Sequence, residues 1–176
     1  MNAGEIFQLS VSNGGVPKHA VASARATRRG LVGDRQRDLR AHGGPERALC
    51  LWSLEVIGRL YREGHNLSPG AAGENITVMG LDWSQVVPGA RLRVGDEVLI
   101  EITMYTIPCW KNAQWFKDGN FARMDHDEHP GDARVYARVL AEGTIAQGDR
   151  VEVAAESSAD RAWRLQPMTY RWPRDF

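Results

Sequence analysis

The sequence predicts a mostly β chain with a few short helices, its sheet closed into a barrel-like fold. Three observations predict it. Short alternating or β-branched runs recur along the chain, clear helical periodicity is confined to one segment, and Gly/Asp turn signals punctuate the runs. Many short strands with few helices favour a mainly antiparallel sheet that closes on itself, because closure removes exposed edges. At 176 residues the chain suits one domain, burying roughly 70% of its unfolded surface.

The elements follow in order. EIFQLSVS (5–12), HAVASARAT (19–27), RALCLW (47–52) and ENITVMG (74–80) read as strands. RLRVGDEVLIEITMYTI reads as two strands around a turn at Gly95-Asp96, a Gly/Asp hairpin signal. RVYARVLAEG (134–143) and DRVEVA (149–154) are two more, joined by a polar, glycine-containing turn. SLEVIGRLYREG is the clear helix: Ser53 caps it, Leu54, Ile57, Leu60 and Tyr61 share a face, and Gly64 ends it. A shorter helix is expected from Trp110 to about Lys117. The tail changes character: SSADRAWRLQPMTYRWPRDF mixes Arg with aromatics and prolines. It reads as an arm, residues 156–176, packing on the domain or on a second subunit of a homodimer.

Charge is balanced, with 22 Lys plus Arg against 22 Asp plus Glu. That argues against a broad basic face for nucleic acid but leaves room for a local pocket that takes a small anion. Two cysteines do not make a disulfide framework. The N-terminal stretch MNAGEIFQLSVS lacks the basic and apolar regions of a signal peptide. No apolar run nears the ~20 residues of a membrane span, so a reducing cytoplasm is the expected compartment, with no membrane partner.

Cys50, inside ALCLW, reads as core filler, since unpaired cysteine packs as a small hydrophobe. Cys109 differs. Pro108 removes a backbone donor and pushes Ile107 into extended geometry, so the strand ends and the sulfur is left at a loop or helix start. A helix N-terminus and Lys111 nearby favour thiolate, and an inert or a reactive, metal-ligating Cys109 both stay open. DHDEHP, with His126 and His129, could hold a divalent metal; an exposed polar turn accounts for it more simply. His42 and Gly43 in AHGGPERA, and the SNGGVPK segment, carry features of ligand contact that ordinary turns also explain.

Taken together, VSNGGVPK, GLVGDRQRD (30–38), AHGGPERALCLWSLE (41–55), GAAGENITVMG (70–80), VGDEVLIEIT (94–103) and IPCWKN (107–112) resemble the MOSC domain family, named for the C-terminal domain of molybdenum-cofactor sulfurases. The resemblance covers residues 5–153, places the domain at 5–155, and extends through RVYARVLAEGTIAQGDRV to the stand-alone bacterial branch that includes hydroxylaminopurine reductases. MYTI before the cysteine departs from relatives that carry Arg or Thr closer to it.

The resemblance implies a β-barrel-like fold and a site for the molybdenum cofactor, a molybdopterin. In amidoxime-reducing and hydroxylaminopurine-reducing relatives one cysteine ligates molybdenum, and the PC motif puts that role on Cys109. It implies that Ser12, Gly14, Gly15 and Lys18 meet the pterin phosphate, with Lys18 serving affinity and not the fold. Asp34, Arg35, Gly43, Glu74 and Asn75 are implied at the pterin, and His42 as proton donor. The implied activity is reduction of an N-hydroxylated small molecule, the cofactor carrying the chemistry. No flavin, haem or iron–sulfur motif is present, so electrons are expected from separate electron-transfer proteins. The alternatives are a sulfur carrier holding a persulfide on Cys109, supplied by a separate pyridoxal-phosphate sulfurase, and a non-catalytic cofactor binder. Pyridoxal phosphate is not expected in this chain.

Overall fold

The computed structural model describes residues 3–36 and 43–154, and among them the chain forms eleven strands and one α-helix. The strands are β1 (Ala3–Val11), β2 (His19–Val21), β3 (Ser23–Thr27), β4 (Gly30–Leu31), β5 (Leu49–Ser53), β6 (Ile76–Met79), β7 (Arg91–Val94), β8 (Val98–Tyr105), β9 (Val135–Ala141), β10 (Gly143–Ala146) and β11 (Arg150–Val153); the helix is α1 (Leu54–Arg62).

Seven strands close a barrel in the order β1-β11-β7-β8-β9-β5-β6 and back to β1. Strand β1 makes closure possible because its one edge is shared. It pairs with β11 at Ala3–Glu5 and with β2 at Leu9–Val11, while β6 runs along its other edge. A register shift between Ile6 and Gln8 in the β1–β6 pair has the character of a bulge, which bends a strand and sharpens its twist. Every barrel pairing is antiparallel except β5–β6, the pair that needs a crossover. Helix α1 lies in that crossover. A small second sheet, β10-β3-β4, packs beside the barrel. The barrel interior is filled by side chains such as Ile6, Leu9, Leu51, Ile76, Leu92, Ile100 and Val135.

The hairpin at Gly95-Asp96 forms as expected, with Val94 paired to Val98 and Gly95 at φ +61°. Ser53 caps α1, its Oγ accepting from Glu55 N at 3.1 Å and Val56 N at 3.3 Å. The buried face is Val56, Ile57 and Leu60. Tyr61, expected on it, is 63% exposed, because the outer cluster that covers α1 extends toward Val56. Strand β8 stops at Tyr105, before Pro108, with one further ladder bond from Thr106 N to Arg134 O. The expected helix after Cys109 is a short 3-10 turn, Trp110–Trp115. Strands β4 and β10 were not expected: β4 has only two residues, and β10 lies in the glycine-containing stretch read as a turn. No helix among the described residues is long and apolar enough to cross a membrane. The C-terminal arm, 156–176, lies outside the described residues.

Candidate functional site

The site begins with the alternation of β5. Leu49 and Leu51 enter the barrel interior, so Cys50 and Trp52 point to the outer face. Trp52 is covered there by α1 and the segment ending at Met124. Cys50 instead faces a cavity of about 100 Å³. Directly across the β5–β9 ladder, Tyr136 opposes Cys50 and lines the same cavity. Loops complete the walls: Gly15 and Lys18 after β1, Arg35 after β4, Gly73 and Asn75 before β6, and Cys109 with Lys111 and Asn112 after β8. The two cysteines therefore share one cleft. Cys50 is buried, 5% exposed, as expected from its apolar run, and it also borders this cleft, because what covers the outer face of β5 is decided by distant loops.

The cleft is strongly cationic. Lys18, Arg35, Arg47, Lys111 and Arg134 line it, and among the described residues no Asp or Glu does. Arg47 lies over the Tyr136 ring at 5.9 Å. Burial pushes the Cys50 thiol up to about 11, the Arg134 charge opposing it. Burial likewise pushes the Tyr136 phenol up to about 12. Both hold their protons at neutral pH. Cys109 is half-buried and in extended conformation, φ −122°, with no side-chain cap bond to the turn it begins. That turn is a six-residue 3-10 segment and not the helix expected there. Exposed Ile107 and Trp110 flank the sulfur.

Several motif residues meet at a single carboxylate. Asp34 accepts from Ser12 N at 2.8 Å and from Asn75 Nδ2 at 2.9 Å, and it pairs with the Lys18 ammonium. Asn75 also donates to Ser10 O at 3.2 Å and accepts from Cys50 N at 3.1 Å. The side chains of Lys18 and Asp34 are 10% and 2% exposed. This ties β1, β5, β6 and the Asp34 loop behind the cleft. Lys18, expected to serve affinity and not the fold, thus has its nearly buried ammonium bonded to a buried carboxylate. Ser12 Oγ donates to Gly15 O at 3.0 Å and accepts from Gly14 N at 3.3 Å, shaping the loop. Gly15, at φ +99°, has open space where a Cβ would stand. Gly70 has none: at φ +85° a Cβ there would lie 2.5 Å from Lys18 O.

Of the residues named from sequence, Gly15, Lys18, Arg35, Asn75 and Cys109 line the cavity. Ser12, Gly14 and Asp34 stand behind them. Gly43 is buried away from the lining. Glu74 is fully buried outside the lining, its Oε1 accepting from Gly70 N at 2.6 Å, its Oε2 unpartnered and its carboxyl raised by burial. His42 lies outside the described residues. Among the described residues no three His, Cys, Asp or Glu side chains group to hold a metal ion; His126 stacks on Tyr105 with ring centroids 3.5 Å apart. Sequence reading missed Arg47, Asn112, Arg134 and Tyr136. Strand alternation could have put Tyr136 on the outer face of β9, though not opposite Cys50, and no local signal marks Asn112 or Arg134.

The MOSC domain model matches residues 38–152, well over half of the chain. The chain belongs to the MOSC domain family. This MOSC domain is 32% identical over 145 residues to YflK of Bacillus subtilis, covering 81% of this chain and 64% of that protein. It is 31% identical over 150 residues to YiiM of Escherichia coli, covering 79% of this chain and 66% of that one. The chain thus spans just under two thirds of each relative. The crystal structure of E. coli YiiM superposes with a TM-score of 0.65 at 25% identity, covering 88% of this chain and 71% of that chain. A protein of Gibberella moniliformis named Reductase is 29% identical over 129 residues, covering 70% of this chain but 22% of its own length.

Proposed function

We propose that this MOSC domain binds the molybdenum cofactor and works as a small oxidoreductase. It would reduce N-hydroxylated compounds with electrons from separate partner proteins. One observation carries the reading: a half-buried thiol, Cys109, opens onto a cleft lined by five cationic side chains and, among the described residues, no carboxylate. Soft thiolate is the protein ligand such a metal centre favours. Lysines and arginines without competing carboxylates suit the negative charge of a dithiolene and a phosphate. The residues present fit the group. The name of the fungal relative, Reductase, is consistent with redox chemistry in the family.

In this reading Cys109 holds the metal, and Lys18 and Arg35 face the phosphate end, Lys18 sharing its charge with Asp34. Gly15 lets backbone approach the ligand closely. Tyr136 and Cys50 present protonated, uncharged groups on the cleft wall, and His42 is assigned proton supply. When bound, the cofactor supplies the two-electron chemistry. A second reading, a sulfur carrier with a persulfide on Cys109, is favoured by the exposed Ile107 (82%) and Trp110 (74%) beside that cysteine. They offer an apolar landing surface for a sulfurase.

The deciding experiment is metal and sulfur analysis of protein made in a host competent for cofactor synthesis. The molybdoenzyme reading expects close to one molybdenum per chain, and Cys109→Ser that retains pterin while losing N-hydroxylamine reduction. Serine is a harder and far less acidic ligand. Cyanide-releasable sulfur without molybdenum, lost in the serine variant, identifies the carrier. Neither metal nor labile sulfur defeats both.

A further inference from the structure

The segment that begins at Cys109 is fastened, at its other end, to the turn after α1. Gly64, at φ +97°, reverses the chain there, and His65 N donates to Leu60 O at 3.2 Å. The imidazole of His65 is buried and lies tilted on Phe116 with ring centroids 4.9 Å apart. Its Nδ1 accepts from Lys117 N at 3.0 Å. A backbone N–H only donates, so this bond needs Nδ1 unprotonated. The imidazolium is a donor at both nitrogens and has no lone pair to offer. Four charged groups surround the ring: Glu63 from the end of α1, Arg123 from the segment 121–124, and Lys117 and Asp118 from the chain beyond Phe116. Burial opposes the charged ring most strongly, and Arg123 and Lys117 oppose it too, which together hold His65 below its ordinary 6.5. Glu63 and Asp118 favour the charge. Glu63 Oε2 lies 3.7 Å from Nε2, but Glu63 already accepts two bonds from Arg123, each at 2.8 Å.

We propose that His65 is a pH-sensitive latch: neutral, it fastens Lys117 and the turn 110–115 to the end of α1; protonated, it releases the Lys117 N–H and loosens the cleft wall formed by Cys109, Lys111 and Asn112. The turn between latch and sulfur is short and closed by its own bonds, Asn112 N to Cys109 O at 3.0 Å and Phe116 N to Ala113 O at 3.1 Å. Movement at Lys117 is therefore passed along it to the wall. Asn66 N also donates to Trp115 O at 2.8 Å, and Phe116 sits in the apolar cluster with Trp52 and Leu60, so acid loosens the segment without detaching it. The folded chain binds this proton less tightly than the unfolded one. The latch thus contributes fully above 6.5, the ordinary value, and is lost as pH falls through the folded one. It is a property of the chain alone and needs neither metal nor pterin.

The test is NMR-detected amide hydrogen exchange on the full-length chain at about pH 5 and pH 7, corrected for the intrinsic pH dependence of exchange, with His65→Asn beside wild type. Asparagine keeps a side-chain acceptor and does not titrate. In wild type, protection of the Asn112, Phe116 and Lys117 amides falls roughly two- to tenfold on acidification, the loss of a neutral hydrogen bond. Protection of barrel amides such as Leu51 and Ile100 holds. His65→Asn shows no such fall. The His65 ring and the Lys117 amide of wild type titrate together, with a midpoint below the ordinary 6.5, and this measurement decides the matter if His65→Asn unfolds. Wild-type protection that ignores pH, an equal fall in His65→Asn, or a ring midpoint at or above the ordinary value overturns the latch. So does a fall confined to Lys117, which would leave the cleft wall untouched.

Discussion

Replacing Asp34 by alanine tests how much of the motif constellation is scaffold. The carboxylate is bonded to the Lys18 ammonium, Ser12 N–H and Asn75 Nδ2, and the Lys18 and Asp34 side chains are 10% and 2% exposed. Asp34→Ala leaves a nearly buried ammonium unpaired, and breaking a buried pair by removing one partner costs about 3–5 kcal/mol. Two orphaned N–H donors add to that unless water reaches them. For a domain of this size each kcal/mol shifts Tm by about 2–4 °C, so a fall of roughly 6–20 °C is expected. Lys18→Met should cost less, about 1.5–3 kcal/mol, the worth of a hydrogen bond to a charged group. The remaining carboxylate keeps its two N–H donors. Urea unfolding with both variants, checked by thermal melts, measures the two numbers and their order. An Asp34→Ala loss below ~1 kcal/mol, or a Lys18→Met loss exceeding it, would refute the claim that Asp34 is the hub.

The other predictions are briefer. Iodoacetamide at pH 8 should label Cys109 well before Cys50, because Cys109 is half-buried while burial lifts the Cys50 thiol to about 11 and only thiolate reacts; peptide mapping showing the reverse order refutes it. Glu74 has a carboxyl raised by burial above its ordinary 4.5, so it binds its proton more tightly folded than unfolded. Its contribution is full below that ordinary value and is lost as pH rises toward the folded one. Glu74→Gln should therefore gain stability relative to wild type as pH climbs from about 4.5, and a pH-independent difference in urea unfolding would count against it. Ser53→Ala removes the acceptor for Glu55 N and Val56 N and should cost about 1 kcal/mol, read in the same unfolding assay. No loss would mean that another group caps α1.

What the sequence determined by itself was local. The period of two, the Gly95 turn and the Ser53 cap each act within a few residues, and all three stand in the fold. Cys109 could be singled out because Pro108 ends a strand within a few residues of it. The motif residues Ser12, Lys18, Asp34 and Asn75 could be named, but not their partners: Asp34 reaches Asn75 across 41 positions, and only the packing of its loop on the end of β1, beside β6, brings them together. The alternation of β5 sends Cys50 outward, yet whether outward meant core or cleft depended on which loops cross that face. Trp52, two residues on, is covered by α1, whereas Cys50 is not. Asn112 and Arg134 carried no pattern at all. Asn112 Oδ1 and Arg134 Nε are buried without a hydrogen-bond partner because tertiary packing removes water and supplies none, a condition set by the whole surrounding shell.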